Sequence, residues 1–189
     1  MSVKVDTQEY LDMIELSNKI CFFDLECSGL KGDYNSVLCG TIKPFNGDPV
    51  TFSVKQLGND QRVVKEIKQE LEKYSCWVSY YGKGFDVPML NTRLLKWRAS
   101  PVDSRHHIDM YYILKYHTLM GRRSQESYLS WLGTDEQKMK VSQNTWSEMG
   151  FKLDEHMPVM INRCESDVAG LQALYTNTRH LIHEVKLQG

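Results

Sequence analysis

The stretch Ile20-Cys21-Phe22-Phe23-Asp24-Leu25-Glu26 constrains this chain more than any other. Four apolar residues run directly into two carboxylates one residue apart. An apolar run with β-branched and aromatic members predicts a buried strand. Side chains alternate faces along a strand, so Asp24 and Glu26 point the same way. Two like charges at the end of a buried strand repel each other and lose hydration, which is costly unless a cation sits between them. Hard, oxygen-preferring Mg²⁺ or Mn²⁺ suits such a pair. Taken alone, so short and common a pair reads more readily as a strand running out into a polar loop with both acids solvated. The choice depends on acids elsewhere in the chain.

The length of 189 residues predicts one domain, 1–189, large enough for a core. The net charge of −1 gives no global basic field, so any nucleic-acid contact has to come from a local patch. No stretch approaches a membrane span and no signal-peptide pattern opens the sequence. The five cysteines are odd in number and show no Cys-x-x-Cys spacing. Cys21, Cys39 and Cys76 fall in apolar runs, where cysteine behaves as a small hydrophobe. They predict reduced core residues of a cytoplasmic protein.

In chain order, residues 6–18 predict a short amphipathic helix on the domain edge. Strands follow over Lys19–Leu25, Val37–Ile42 and Val50–Val54. Asn46-Gly47 between the last two is a hairpin signal, so the three form an antiparallel meander. Val63, Val64, Ile67 and Leu71 predict a surface helix over 59–74. Cys76–Tyr81 is a fourth strand, reached by a parallel crossover. Gly82-Lys83-Gly84 turns the chain into a helix opening at Phe85-Asp86-Val87-Pro88 and running to about Trp97. A short fifth strand over His106–Asp109 precedes helices over 110–118 and 124–132. Residues 133–157 are polar, with one turn near Thr145–Met149. The apolar stripe from Ile161 to Val185 predicts a long final helix starting near residue 158.

Asp86 projects after the fourth strand, although on its own it reads as an acid favoured at a helix N-terminus. Asp167 lies close to the apolar stripe of the last helix, where an acid needs a partner, and Arg163 at i−4 is the local candidate. In a sheet ordered 3-2-1-4-5, Asp24, Glu26, Asp86 and Asp167 meet at one end. Four carboxylates together suit two divalent cations that clamp the attacking and leaving oxygens of a phosphodiester.

At these residues the chain resembles a family. Phe22-Phe23-Asp24-Leu25-Glu26-Cys27-Ser28-Gly29-Leu30, Tyr81-Gly82-Lys83-Gly84-Phe85-Asp86-Val87-Pro88-Met89-Leu90 and Cys164-Glu165-Ser166-Asp167-Val168 resemble the three motifs of the DEDD (DnaQ-like) 3′–5′ exonucleases. This family belongs to the ribonuclease-H-like superfamily, and the likeness is greatest to its YprB-type branch and to B-family polymerase proofreading domains. His107-Ile108-Asp109 and Leu129 to Lys138 resemble intervening segments of the family. The resemblance implies an α/β ribonuclease-H-like mixed five-stranded sheet. It also implies a 3′–5′ exonuclease acting on single-stranded nucleic acid, DNA ahead of RNA, with two Mg²⁺ or Mn²⁺ ions on Asp24, Glu26, Asp86 and Asp167. Tyr81 stands where the family has Asn. Arg163 and Asn162 stand where the family supplies the Tyr or His that handles the attacking water. Arginine stays protonated and is no base. It can instead offer fixed positive charge to the phosphate. A helix already running at His156 would leave that histidine about 16 Å along the axis from Asp167.

Between the second and third motifs, Arg93, Lys96, Arg98, Arg105, Lys115, Arg122, Arg123, Lys138 and Lys140 alternate with Trp97, Tyr111, Tyr112, Tyr116 and Trp131. Such a mixture suits a single strand held by backbone contacts and base stacking, and equally a solvated helix surface over core aromatics. Arg122 and Arg123, with Lys83 and Tyr81 of the second motif, are the expected nucleic-acid contacts. His106, His107 and His117 are expected at the surface or against phosphate. Two other functions fit the same residues: a weak or inactive nucleic-acid-binding module, and a structure-selective endonuclease.

Overall fold

The structure, a computed structural model, describes residues 6–103, 106–134 and 152–183. The turn expected near 145–149, together with Arg105, Lys138 and Lys140, lies outside the described residues. The elements are α1 (Thr7–Leu16), β1 (Ile20–Cys27), β2 (Val37–Pro44), β3 (Val50–Ser53), α2 (Gln61–Leu71), β4 (Cys76–Ser79), α3 (Asp86–Lys96), β5 (His106–Asp109), α4 (Met110–His117), α5 (Gln125–Leu132) and α6 (Leu153–Thr178), with a 3₁₀ turn at Arg179–Leu181. No described helix is long and apolar enough to cross a membrane.

The five strands form the ribonuclease-H-like sheet in the order β3-β2-β1-β4-β5. β2 runs antiparallel to both β1 and β3, whereas β1–β4 and β4–β5 are parallel. Alternation along β1 divides its side chains between two layers. Phe23 and Leu25 face the layer built by Val63, Val64 and Ile67 of α2 and Leu90 and Leu94 of α3. Ile20 and Phe22 face Leu171, Leu174 and Tyr175 of α6 with Leu11 and Ile14 of α1. Asp24 and Glu26 share this second face, opposite Thr41 and Cys39 of β2. Gly40 lies on the first face. A Cβ there would come within 2.6 Å of both Ile67 Cδ1 and Leu25 Cδ2, so its absence lets α2 seat directly on the sheet.

α6 begins at Leu153, earlier than expected, and ends at Thr178. Pro158 lies inside the helix. The carbonyl that its missing N–H would have served lies in the exposed first turn, where Asp154 and Glu155 complement the helix dipole. Ile182, beyond the 3₁₀ turn, is still buried.

Arg93, expected among the solvent-facing cations, is buried. Its Nε and one terminal nitrogen donate to the two oxygens of Asp60 at 2.7 and 2.9 Å, and its other terminal nitrogen donates to the Gly32 carbonyl at 3.0 Å. Asp60 also accepts from the indole of Trp97 and the Val37 amide. Burial works against the Asp60 charge, but these donors outweigh it and hold its carboxyl below the usual range. The network ties α2, α3, the start of β2 and the loop after β1 into one unit.

Candidate active site

The acids converge where β1 passes under α6. One oxygen each from Asp24, Glu26 and Asp167 lies within 4.8 Å of the others. Glu26 and Asp167 are buried and Asp24 is half-buried. β1 supplies the first two through its alternation. α6 supplies the third because Asp167 is one turn from the buried Cys164 and Leu171. Two contacts hold α6 in place there. Gln125 of α5 donates its side-chain amide to the Asp167 carbonyl at 2.7 Å. Gly170 allows α5 to approach, since a Cβ would lie 2.8 Å from Leu129 Cδ1. Neither residue stands out in the sequence reading. A glycine within a helical apolar stripe is the available signal for the second.

Arg163 reaches into the cluster. Its Nε donates to Glu26 Oε1 at 2.5 Å and lies 3.9 Å from Asp167 Oδ2. Burial opposes its charge, but Glu26, Asp167 and Asp24 outweigh that cost and hold the guanidinium protonated. The i−4 partnership with Asp167 is therefore present, but the tighter contact is with an acid 137 positions away.

Asp86 opens α3 and is buried. Its Oδ1 accepts the Leu25 amide at 3.0 Å. Burial pushes its carboxyl up to about 7, against the backbone donors of Leu25 and Asp86, with Asp109 and Glu26 adding to the rise. The Cys27 thiol is also pushed well up, first by burial and then by Asp86, Asp24 and Glu26. Burial is the larger cause of both shifts, and the neighbouring carboxylates add to each. Hard carboxylate oxygens crowded in this way suit a hard divalent cation.

The turn before α3 is held by Asp109, the last residue of β5. Asp109 Oδ1 accepts the amides of Tyr81 and Tyr111, and Oδ2 accepts the amide of Lys83. Tyr81 takes the left-handed conformation at φ 64°. Its ring lies over Gly84, where a Cβ would come within 2.6 Å of Tyr81 Cζ. The ring also meets Tyr111 edge-on at 5.0 Å and Tyr112 at 6.1 Å. Lys115 stands over the Tyr111 ring. The Tyr80 hydroxyl donates to the Arg123 carbonyl at 2.5 Å, which brings the exposed Arg122-Arg123 loop to this aromatic group. A cavity of about 370 Å³ opens between the loop after β1 and the start of α3, lined by Leu30, Lys31, Gly84, Phe85 and Met89 among others.

The histidines do not enter the cluster. His107 is buried and hydrogen-bonds Ser79 Oγ through Nε2 at 2.7 Å. Its position in β5, under Trp77 and Phe23, overturns the expected surface role. The His106 ring stacks at a tilt on Tyr10, and the exposed His117 meets His183. α6 does run through His156, which leaves it about 16 Å along the axis from Asp167.

The RNase_H_2 family model of the RNase H superfamily matches residues 21–181. The chain belongs to the RNase H superfamily. No curated protein matches it. Among solved structures it is similar to the family B DNA polymerase from the hyperthermophilic archaeon Pyrobaculum calidifontis, with a TM-score of 0.63 and 17% identity over 84% of this chain. The match spans 24% of the polymerase chain, and at that identity the likeness is one of fold. As an RNase H superfamily member the chain has the fold of a nucleic-acid hydrolase, and the acids on β1 and α6 form a buried acidic cluster suited to divalent metal.

Proposed function

We propose that this protein is a metal-dependent nuclease that removes nucleotides from the 3′ end of single-stranded nucleic acid. The convergence of Asp24, Glu26 and Asp167 oxygens within 4.8 Å carries the reading. Buried acids are rarely brought so close unless a cation is to be held. Asp24, Glu26 and Asp167 would hold the divalent ions, with Asp86 bracing the Leu25 amide between the first two and offering its own carboxylate as a fourth group. Bound there, such ions neutralise the phosphate and lower the pKa of the attacking water toward neutrality. Arg163 cannot take a proton, so its part is to present fixed positive charge to the scissile phosphate.

Substrate binding is assigned to the surface beside the cluster. Tyr81, 45% exposed, offers a ring for base stacking, and Lys83, Arg122 and Arg123 supply backbone contacts. The cavity between Leu30 and Phe85 is large enough for a terminal base. The preference for DNA rests on the likeness to a DNA polymerase structure. A cytoplasmic site of action rests on five free, buried cysteines.

The test uses 5′-labelled single-stranded DNA and RNA with Mn²⁺ or Mg²⁺, and EDTA as control. The expected result is stepwise shortening from the 3′ end, an intact closed circle, and loss of at least about a hundredfold in rate for Asp24→Asn and for Asp167→Asn. Cutting of the circle would replace the exonuclease with an endonuclease. No metal-dependent cleavage of any strand would remove the nuclease reading.

A further inference from the structure

We propose that the outer face of α4 extends the strand-binding surface, with Tyr112 as a second stacking ring and Lys115 as the phosphate contact beside it. The inference rests on the nuclease reading and lengthens its substrate track. Parallel strands have their carboxyl ends at one edge of a sheet. β1, β4 and β5 are parallel neighbours. The acids near the end of β1, Tyr81 after β4, and Tyr111 and Tyr112 after β5 therefore follow one another along that edge. Adjacent strands lie about 4.8 Å apart, which puts β5 roughly 10 Å from β1. Open α/β sheets bind ligands outside the carboxyl ends of such strands. α4 also packs on the side of the sheet that the cluster occupies. Met110 and Leu114 share a core with Phe22, Val78 and Leu171, the layer on the face that carries Asp24 and Glu26.

Tyr111 is the support between the two rings. It meets Tyr81 edge-on at 5.0 Å and Tyr112 edge-on at 5.2 Å. Tyr81 and Tyr112 are thereby held 6.1 Å apart with their planes 34° from one another. A strand that leaves the Tyr81 ring meets a second ring of similar inclination within reach of its adjoining base. Tyr112, Lys115 and Tyr116 stand at i, i+3 and i+4, which is one face of the helix. Lys115 Nζ lies 5.9 Å from the centre of the Tyr111 ring and 5.6 Å from that of Tyr116. Met110 and Leu114 are buried, whereas Tyr112 is half-buried and Tyr116 exposed. The charge of the segment selects the occupant. From Met110 to Gln125 the sequence holds Lys115, Arg122 and Arg123 and no acid, in a chain whose net charge is −1. Rings interleaved with cations suit a polyanion that carries planar groups, which is a single-stranded nucleic acid. An apolar protein partner would have to desolvate the same three cations without compensation. With the 3′ end at the acids, the strand passes Tyr81, then Tyr112 and Lys115, and leaves toward Arg122 and Arg123, whose loop is tied in through the Tyr80 hydroxyl.

The experiment measures binding to the whole chain in EDTA, by fluorescence anisotropy of a 5′-labelled oligothymidylate and of a strand of the same length whose nucleotides carry no bases. Tyr112→Ala should weaken binding of the oligothymidylate at least about fivefold, the lower end for one base on one ring, and leave binding of the baseless strand unchanged. Tyr112→Phe keeps the ring and should bind both strands as the wild type does. Lys115→Gln should weaken both strands alike and flatten the log–log salt slope by about 0.7. Circular dichroism checks that each variant is folded, and Lys115→Gln keeps the test decisive should Tyr112→Ala unfold. Unchanged affinity in Tyr112→Ala, an equal loss on both strands in that variant, or an unchanged salt slope in Lys115→Gln would overturn the inference. So would a wild type that binds neither strand. The nuclease reading is decided separately, by Mn²⁺-dependent shortening of the labelled oligothymidylate, and stands if that shortening is seen whatever the α4 variants do.

Discussion

Tyr81 is held where a bulky side chain is costly. A φ of 64° suits Gly or Asn far better than Tyr, and its persistence here rests on Asp109, which takes the Tyr81 and Lys83 amides together. Strain of this type is kept where the surroundings over-determine it. In return the ring is fixed over Gly84 beside a tyrosine cluster rather than free to rotate. Next to it, Arg122 and Arg123 are exposed on a loop anchored through one backbone carbonyl. Arg122→Ala with Arg123→Ala should weaken binding of single-stranded DNA and flatten its log–log salt slope by roughly 1.4, about 0.7 for each phosphate that is no longer neutralised. Fluorescence anisotropy across a salt series reads both quantities. An unchanged slope would assign the loop to ordinary solvated surface. Mn²⁺ binding should be unaffected, since neither arginine reaches the acids.

At the scale of the element, one buried ion pair ties α3 to the start of α2. Arg93 lies on its inner face and is paired with Asp60 in a setting almost closed to water. Arg93→Met should lower the unfolding free energy by about 3–5 kcal/mol, because Asp60 is left charged and buried. Urea denaturation measures this, and a loss below about 1 kcal/mol would mean that the pair contributes little. The same residue shows where sequence reading reaches its limit. Element order, strand order and the three motifs are legible because they depend on local period and chain order: β1 by its apolar run, β5 at His106–Asp109, Asp167 by its place on the α6 stripe. Arg93 reads as a surface cation because a buried arginine differs from a solvated one only through a partner 33 positions away. Arg163 is legible as a neighbour of Asp167, one turn off, but not as the partner of Glu26, which only the packing of α6 across β1 creates. His107 reads as a surface residue for a related reason. A four-residue strand gives too short a period to tell which face is buried.

For the whole molecule, His107 links stability to pH. Burial, with Lys83 adding to it, lowers its pKa to about 3. Between about pH 3 and the ordinary histidine value near 6.5 the unfolded chain takes up a proton that the folded chain refuses. Stability from this group is therefore complete above 6.5 and falls as the pH drops through that window. From pH 7.5 to 5.0 it should cost the wild type about 2 kcal/mol, and Ser79→Ala with His107→Leu should escape that part of the loss. Equal losses in the two proteins, measured from urea midpoints, would mean that His107 takes up its proton while folded. A different consequence belongs to the helix that completes the acidic cluster. Glu26 and Arg163 are 137 positions apart, and synthesis at roughly 5–20 residues per second separates their appearance by about 7–30 s. During that interval β1 and β2 can already have paired, with two acids side by side and the face that α6 will cover, Phe22 and Cys39 included, open to water. The nascent chain is then least soluble and least able to hold a metal. An acidic cluster assembled in this order is complete only after translation has moved past the last turn of α6.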